Sequence, residues 1–264
     1  NQYVETQLYL MKTISEQIQF AENTWLQESF LFLKESFTRT PLPSHDHQHH
    51  LRVWLNAKFL LQQLHKQGVN IDYSFIEALL ISSLFHDSGM LKNYEQDHGS
   101  AGRNICANFL RNKENKPEKV EEILNAIEKH DNKLYNGPGP LVSDRIPNLL
   151  TALNISDDLD ALGTIGIYRY SEIYLMRGIP LEDLGLKIMA NLSGRFNNFL
   201  SNCRFLPEML WMHKPRFIQQ INNVLQNISR RSDETRKEYI TALREDDNGN
   251  IFPLISFARK KSKG

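Results

Sequence analysis

Within the 264-residue chain, His86 and Asp87 come directly after an apolar stretch, 75–85, that has no surface side. An unpaired charge there would cost several kcal/mol, whereas a cation shared by the imidazole and the carboxylate accounts for both. His50 and His130 are each the polar member of an otherwise apolar helical face, and so is Asp157. Four inward-facing helices then each offer a nitrogen or carboxylate ligand, which is how bundles build metal sites in their cores. The same residues would also suit a hydrogen-bonded polar core with no ion. Asp158 lies about 100° around the helix from Asp157, aligned with Asn154 rather than with Leu150 and Leu153; this selects Asp157 as the ligand and places Asp158 in solvent. Three His-Asp pairs occur, His45-Asp46, His86-Asp87 and His130-Asp131, and only the middle one follows a buried run. A P-loop, a Gly-x-Ser-x-Gly elbow and a His-Glu-x-x-His motif are all missing, so a metal is the expected source of catalytic power.

These side chains need helices to hold them. Residues 5–37 have helical spacing and stop at Pro41-Leu42-Pro43. Ser44 or Asp46 is expected to cap the next helix, along which His50, Val53, Trp54, Ala57, Leu61 and Leu64 form one face. The apolar 75–85 helix belongs at the centre of the bundle, with Gly89 as its C-terminal cap. Residues 99–111 form a helix, and Pro117 suits the first turn of another with Val120, Ile123, Ile127 and His130 on one face. A loop follows at 136–140, then one long helix or two over 149–177, with Leu150, Leu153, Asp157 and Asp160 on one side. Residues 180–230 are helical, 244–250 a turn and 251–257 a short extended segment. The expected fold is all-α: a single globular helical bundle at 41–180, an N-terminal helical extension at 1–40 and a C-terminal helical region at 181–264. Its tail, 258–264, is expected to be disordered.

The ordered set His50, His86-Asp87, His98, His130 and Asp157 resembles the HD superfamily of metal-dependent phosphohydrolases. His50-Leu51-Arg52-Val53 resembles the family's first-histidine helix, and Leu84-Phe85-His86-Asp87-Ser88-Gly89 its signature turn. His98-Gly99-Ser100-Ala101-Gly102 and Ala126-Ile127-Glu128-Lys129-His130 resemble the two further histidine motifs of dinuclear members. Asp157-Asp158-Leu159-Asp160-Ala161-Leu162-Gly163 resembles the closing motif, whose first aspartate binds metal. The match covers roughly 44–170, about half the chain. It implies that His50, His86, Asp87 and Asp157 hold one ion, and that Asp87 bridges to a second held by His98 and His130. His86 and Asp87 would be the catalytic pair. Many relatives carry a lysine three residues after the aspartate of the turn; this chain has Met90 there and Lys92 two further on.

Mixed imidazole and carboxylate ligands suit one or two ions of Fe, Mn, Co, Ni or Zn, with Mg an option in assay. Two such ions would lower the pKa of a bridging water and clamp a phosphoryl group. The expected activity is hydrolysis of a small phosphorylated substrate, a nucleotide or related metabolite, by a metal-activated hydroxide. Bidentate guanidinium suits phosphoryl oxygens; of Arg103, Lys133, Arg169, Arg195 and Arg204, Arg169 and Arg195 are the choices, with Lys92 beside them. Asp160 is a candidate to orient a ligand histidine. His45, His47 and His49 are expected at an entrance or on the surface, although His47 would share the face of His50 if the helix began early. His65 and His213 have no supporting pattern. A di-iron oxygenase and a catalytically silent HD regulatory or binding domain are the competing functions.

Charges balance, 31 basic against 31 acidic, so no global field favours nucleic acid or a membrane surface, and neither partner is expected. A homodimer is compatible with the C-terminal region. Two cysteines, Cys106 and Cys203, fall in apolar stretches and are expected to be reduced and buried. No apolar run approaches a membrane span of about 20 residues, and the start at Asn1 reads as a processed terminus. A cytoplasmic location is the simplest expectation.

Overall fold

The computed structural model describes residues 13–39, 42, 44–92, 98–132 and 148–230. Lys133, the loop at 136–140, the turn at 244–250, the extended segment at 251–257 and the tail at 258–264 lie outside them. The fold is all-α. Among the described residues nine α-helices occur and no strand: α1 Ile14–Thr38, α2 His47–Lys66, α3 Tyr73–Phe85, α4 Gly99–Arg111, α5 Val120–Lys129, α6 Leu149–Asp160, α7 Thr164–Met176, α8 Leu181–Cys203 and α9 Pro207–Arg230, with a 3₁₀ turn His86–Leu91 after α3.

The helix starts follow from capping chemistry. Thr13 and Glu16 form a reciprocal capping box on α1, and Asp46 accepts the Gln48 and His49 amides at the head of α2. Asp72 and Asn148 do the same for α3 and α6, each satisfying donors the helix itself leaves orphaned. Helix α3 buries twelve of its thirteen residues, so it must be covered on every side; α1, α2, α5 and α6 all pack on it. The stripe Ile14, Ile18, Ala21, Trp25, Ser29, Leu33 and Phe37 seats α1, and Trp25 Nε1 donates to the buried Glu77 of α3 at 2.7 Å. Helix α2 lies along α6, α4 packs on the 3₁₀ turn, and α8 contacts α6, α7 and α9.

One turn departs from expectation. Gly89 does not cap α3, because the chain continues through it as a 3₁₀ turn. The glycine is needed for close approach: a Cβ there would meet His98 O at 1.9 Å and Gly102 N at 2.6 Å, both backbone atoms. Gly89→Ala is therefore expected to cost about 3 kcal/mol or more, since overpacking against backbone cannot relax by rotamer change. Urea unfolding checks this, and a loss under about 1 kcal/mol would show that the turn gives way easily. Residues 149–177 take the second of the two forms expected there, two helices broken at Ala161–Gly163, with Gly163 at φ +87°, a conformation side chains resist. Helix α9 satisfies the break: Gly163 N–H donates to Gln220 Oε1 at 2.8 Å and Arg216 Nη2 donates to Leu162 O at 2.6 Å.

His213, on α9, is buried against Phe199 and accepts from Arg216 Nη1 at 2.9 Å. Burial, then the Arg216 charge, lower its pKa to about 4. A base depressed in the fold keeps its contribution above the unfolded pKa near 6.5 and loses it as pH falls towards 4. Stability should drop across that window by about 2–3 kcal/mol from this group alone. Urea midpoints of the unsubstituted protein and His213→Gln at pH 7 and pH 4.5 test it, and equal acid losses in the two proteins would contradict it.

Both cysteines are buried and free. No described helix is long and apolar enough to cross a membrane.

Candidate metal centre

Two groups of buried ligand atoms meet at one carboxylate. His49, His86, Asp87 and Asp157 form the first; Asp87, His98 and His130 form the second; within each, the ligand atoms lie within 4.8 Å of one another. In the first, His49 Nε2 is 3.1 Å from His86 Nε2 and 3.1 Å from Asp87 Oδ2. Asp157 Oδ1 is 3.7 Å from His49 Nε2 and 3.8 Å from His86 Nε2. In the second, Asp87 Oδ1 lies 2.9 Å from His98 Nε2 and 3.0 Å from His130 Nε2, which are 3.2 Å apart. Asp87 thus turns one oxygen to each group.

The histidine orientations come from contacts on their far sides. His49 Nδ1–H donates to Asp160 Oδ2 at 2.8 Å, His86 Nδ1–H to Ser83 O at 2.9 Å and His130 Nδ1–H to Ile127 O at 2.6 Å. Each ring, whenever its Nε2 carries no proton, therefore directs a lone pair into the cluster, the arrangement that partners on the opposite nitrogen impose on metal-binding histidines. Lone pairs about 3 Å apart repel unless a cation shares them. A proton can bridge one pair; a metal ion satisfies a whole group. The spacings fit an ion: bonds of about 2.1 Å put ligand atoms about 3.0 Å apart at a right angle and about 3.4 Å apart at a tetrahedral angle.

The electrostatics express the same demand for positive charge. Burial alone would lower the pKa of His86, but the Asp87 and Asp157 carboxylates outweigh it and raise it to about 9. Burial would raise Asp87, yet His86, His130 and His49 hold it well below the usual carboxylate range. Burial lowers His130.

His50 is not in either group. Its ring is buried against Phe37, and Nδ1 donates to Leu84 O; burial, then His86 and His49, keep it neutral. His49, expected at the surface, is fully buried and holds the position assigned to His50. An apolar helical face points at hydrocarbon, and a ligand on the polar edge lies about 100° away. The available signal was the stripe His49, Arg52, Asn56, which faces α6: Arg52 makes a bidentate pair with Asp160 at 2.7 and 3.0 Å, and Asn56 donates to Ser156 O at 3.0 Å. Asp160 thus orients His49. Asp158, expected in solvent, is 1% exposed and is bound by Arg195 at 2.9 Å and Asn198 at 2.7 Å. His86, Asp87, His98, His130 and Asp157 are brought together.

The centre opens on a cavity of about 280 Å³ lined by His45, Met90, Arg169, Tyr170, Tyr174 and Arg195, among others. His45, also expected outside, is buried, with Nδ1 at 2.7 Å from Ser44 Oγ. Arg195 Nη1 donates to Asp157 Oδ2 at 2.9 Å. Arg169 donates to Ser44 O, Asp160 and His49. Lys92 is exposed at the end of the 3₁₀ turn and is not among the lining residues. Residues on both sides of position 180 build this wall, so the C-terminal helices take part in the site.

No protein-family model matches the chain, and neither a curated protein nor a solved structure matches it.

Proposed function

We propose that the chain is a metal-dependent phosphohydrolase of the HD type, acting on a small phosphorylated substrate such as a nucleotide. The observation that carries this is the division of Asp87 between two ligand groups, Oδ2 to one and Oδ1 to the other, beside a cavity walled by arginines. Bound divalent ions would polarise phosphoryl oxygens and make water a nucleophile near neutral pH. The protein's own groups do the rest. Arg195 and Arg169 offer guanidinium charge at the cavity wall, suited to oxyanions. His45 lines the same cavity outside both ligand groups; burial and the Arg169 charge hold its pKa well below the ordinary value, so it serves as an uncharged hydrogen-bond partner for a substrate. At about 280 Å³ the space is at the small end of ligand pockets, which favours a metabolite over a polymer. Arginines on the wall also favour an anion over dioxygen.

The test is metal analysis of the purified protein, then a phosphate-release screen with Mn, Fe(II), Co, Ni and Zn. The panel covers nucleoside mono-, di- and triphosphates, dinucleoside polyphosphates and cyclic nucleotides, the last two with a phosphatase coupled. Two equivalents of metal and chelator-sensitive release from at least one class are expected. Bound metal with no release from any substrate would defeat the hydrolase reading, and oxygen uptake by the iron-loaded protein would put an oxygenase in its place.

A further inference from the structure

Arg169 stands out among the buried groups because its guanidinium reaches into the first ligand group itself. The side chain is 6% exposed. Its Nε donates to Ser44 O at 3.0 Å and its Nη1 to Asp160 Oδ2 at 3.0 Å. Its Nη2 donates to His49 Nε2 at 2.9 Å and lies 3.7 Å from Asp157 Oδ1 and 4.0 Å from Asp87 Oδ2. Those three acceptors are the atoms an ion of the first group would share.

His49 has one lone pair to give. Its Nδ1–H is committed to Asp160, and a neutral imidazole has a single remaining acceptor nitrogen. That lone pair can accept an N–H from Arg169 or bind a metal, not both. Nor can a fixed guanidinium charge stay beside a divalent ion without strong repulsion at low local dielectric. The second group differs, since it is built on Oδ1 of Asp87, whereas Arg169 approaches Oδ2.

Resting on the reading of these groups as a metal centre, we propose that Arg169 is an internal cation that competes with the first ion for His49, so that the Asp87–His98–His130 group fills first. Because the guanidinium is a rigid planar fork, displacing Nη2 from His49 turns the whole group away from the ion and loosens its hydrogen bonds to Ser44 and Asp160. Arg169 lines the cavity, and the released N–H then faces the space where a substrate's phosphoryl oxygen would sit. Filling the first group thereby frees an anion donor. By linkage, an anion that takes that donor also favours the filled state.

The experiment is calorimetric titration of the metal-free protein and of Arg169→Met with Mn²⁺ or Zn²⁺ alone. For the unsubstituted protein two binding events separated by about tenfold or more are expected, within the usual range of coupling energies. In Arg169→Met the weaker event should tighten by about tenfold while the stronger stays put, closing the gap. A weaker event that is unchanged or weakened in the variant overturns the proposal while leaving the metal centre intact. Failure of the unsubstituted protein to bind any ion removes both. Imidazole ¹⁵N spectra of the unsubstituted protein make the test independent of how the variant folds. The first equivalent of Zn²⁺ should move the His98 and His130 signals, and the second those of His49. Movement of His49 with the first equivalent would refute the filling order.

Discussion

Asp87→Ala is expected to retain neither ion at stoichiometric levels and to lose metal-dependent turnover by more than a thousandfold, well beyond the roughly 10–100-fold cost of removing a residue that only orients a ligand. The reason is the placement of its two oxygens, 3.1 Å from His49 Nε2 on one side and 2.9 and 3.0 Å from His98 and His130 on the other. Among the described residues no other belongs to both ligand groups. Stability should change in step. An ion present at a thousand times its dissociation constant adds about 4 kcal/mol, so the rise in melting temperature on adding metal should vanish in the variant. Asp87→Asn separates the two groups, because an amide offers one oxygen and one NH₂, and the nitrogen has no lone pair to give a metal. It should keep at most one ion. Elemental analysis and melting curves with and without metal read both variants. Two ions retained in Asp87→Ala would mean that the carboxylate is not the bridge.

Much of the helical frame was legible because it depends on local chemistry. The helical spacing before Pro41, the all-round apolar α3 and a cap at Ser44 or Asp46 are properties of neighbouring residues; α3 lies where expected, Asp46 is the cap, and α1 begins at Ile14 behind Thr13, with residues 5–12 of the expected helix outside the described residues. Less legible was everything set by a distant partner. Gly89 looked like a helix cap because that is glycine's commonest local role; its actual constraint is the backbone of His98, nine residues away. Asp158 looked solvated because it aligns with Asn154, away from the face of Leu150 and Leu153. Arg195 and Asn198 reach it from α8, and a buried carboxylate with such partners is no longer costly. The break at 161–163 likewise depends on Arg216 and Gln220 from α9. Periodicity reports which side of a helix meets hydrocarbon, and is silent about which polar groups arrive from elsewhere.

The adjacent pair His49 and His50 turns that distinction into a measurement. His50 shares its face with Val53, Trp54 and Ala57, all buried, and its Nδ1–H goes to a backbone carbonyl. His50→Ala should therefore behave as a core truncation. It leaves a cavity and an unsatisfied Leu84 O, costing about 2–4 kcal/mol, while metal content and metal-dependent turnover in the folded fraction stay close to normal. His49→Ala should do the reverse. The Arg52–Asp160 pair remains in place, so the fold survives, but the first group loses the nitrogen that faces His86 and Asp87, and turnover should fall by about a thousandfold, or about 4 kcal/mol of barrier. One ion should remain, on Asp87, His98 and His130. Elemental analysis, urea unfolding and phosphate release on the two variants decide between the residues. Loss of metal in His50→Ala with retention in His49→Ala would return the ligand role to the apolar face. The opposite pattern places it on the polar edge that α2 turns towards α6.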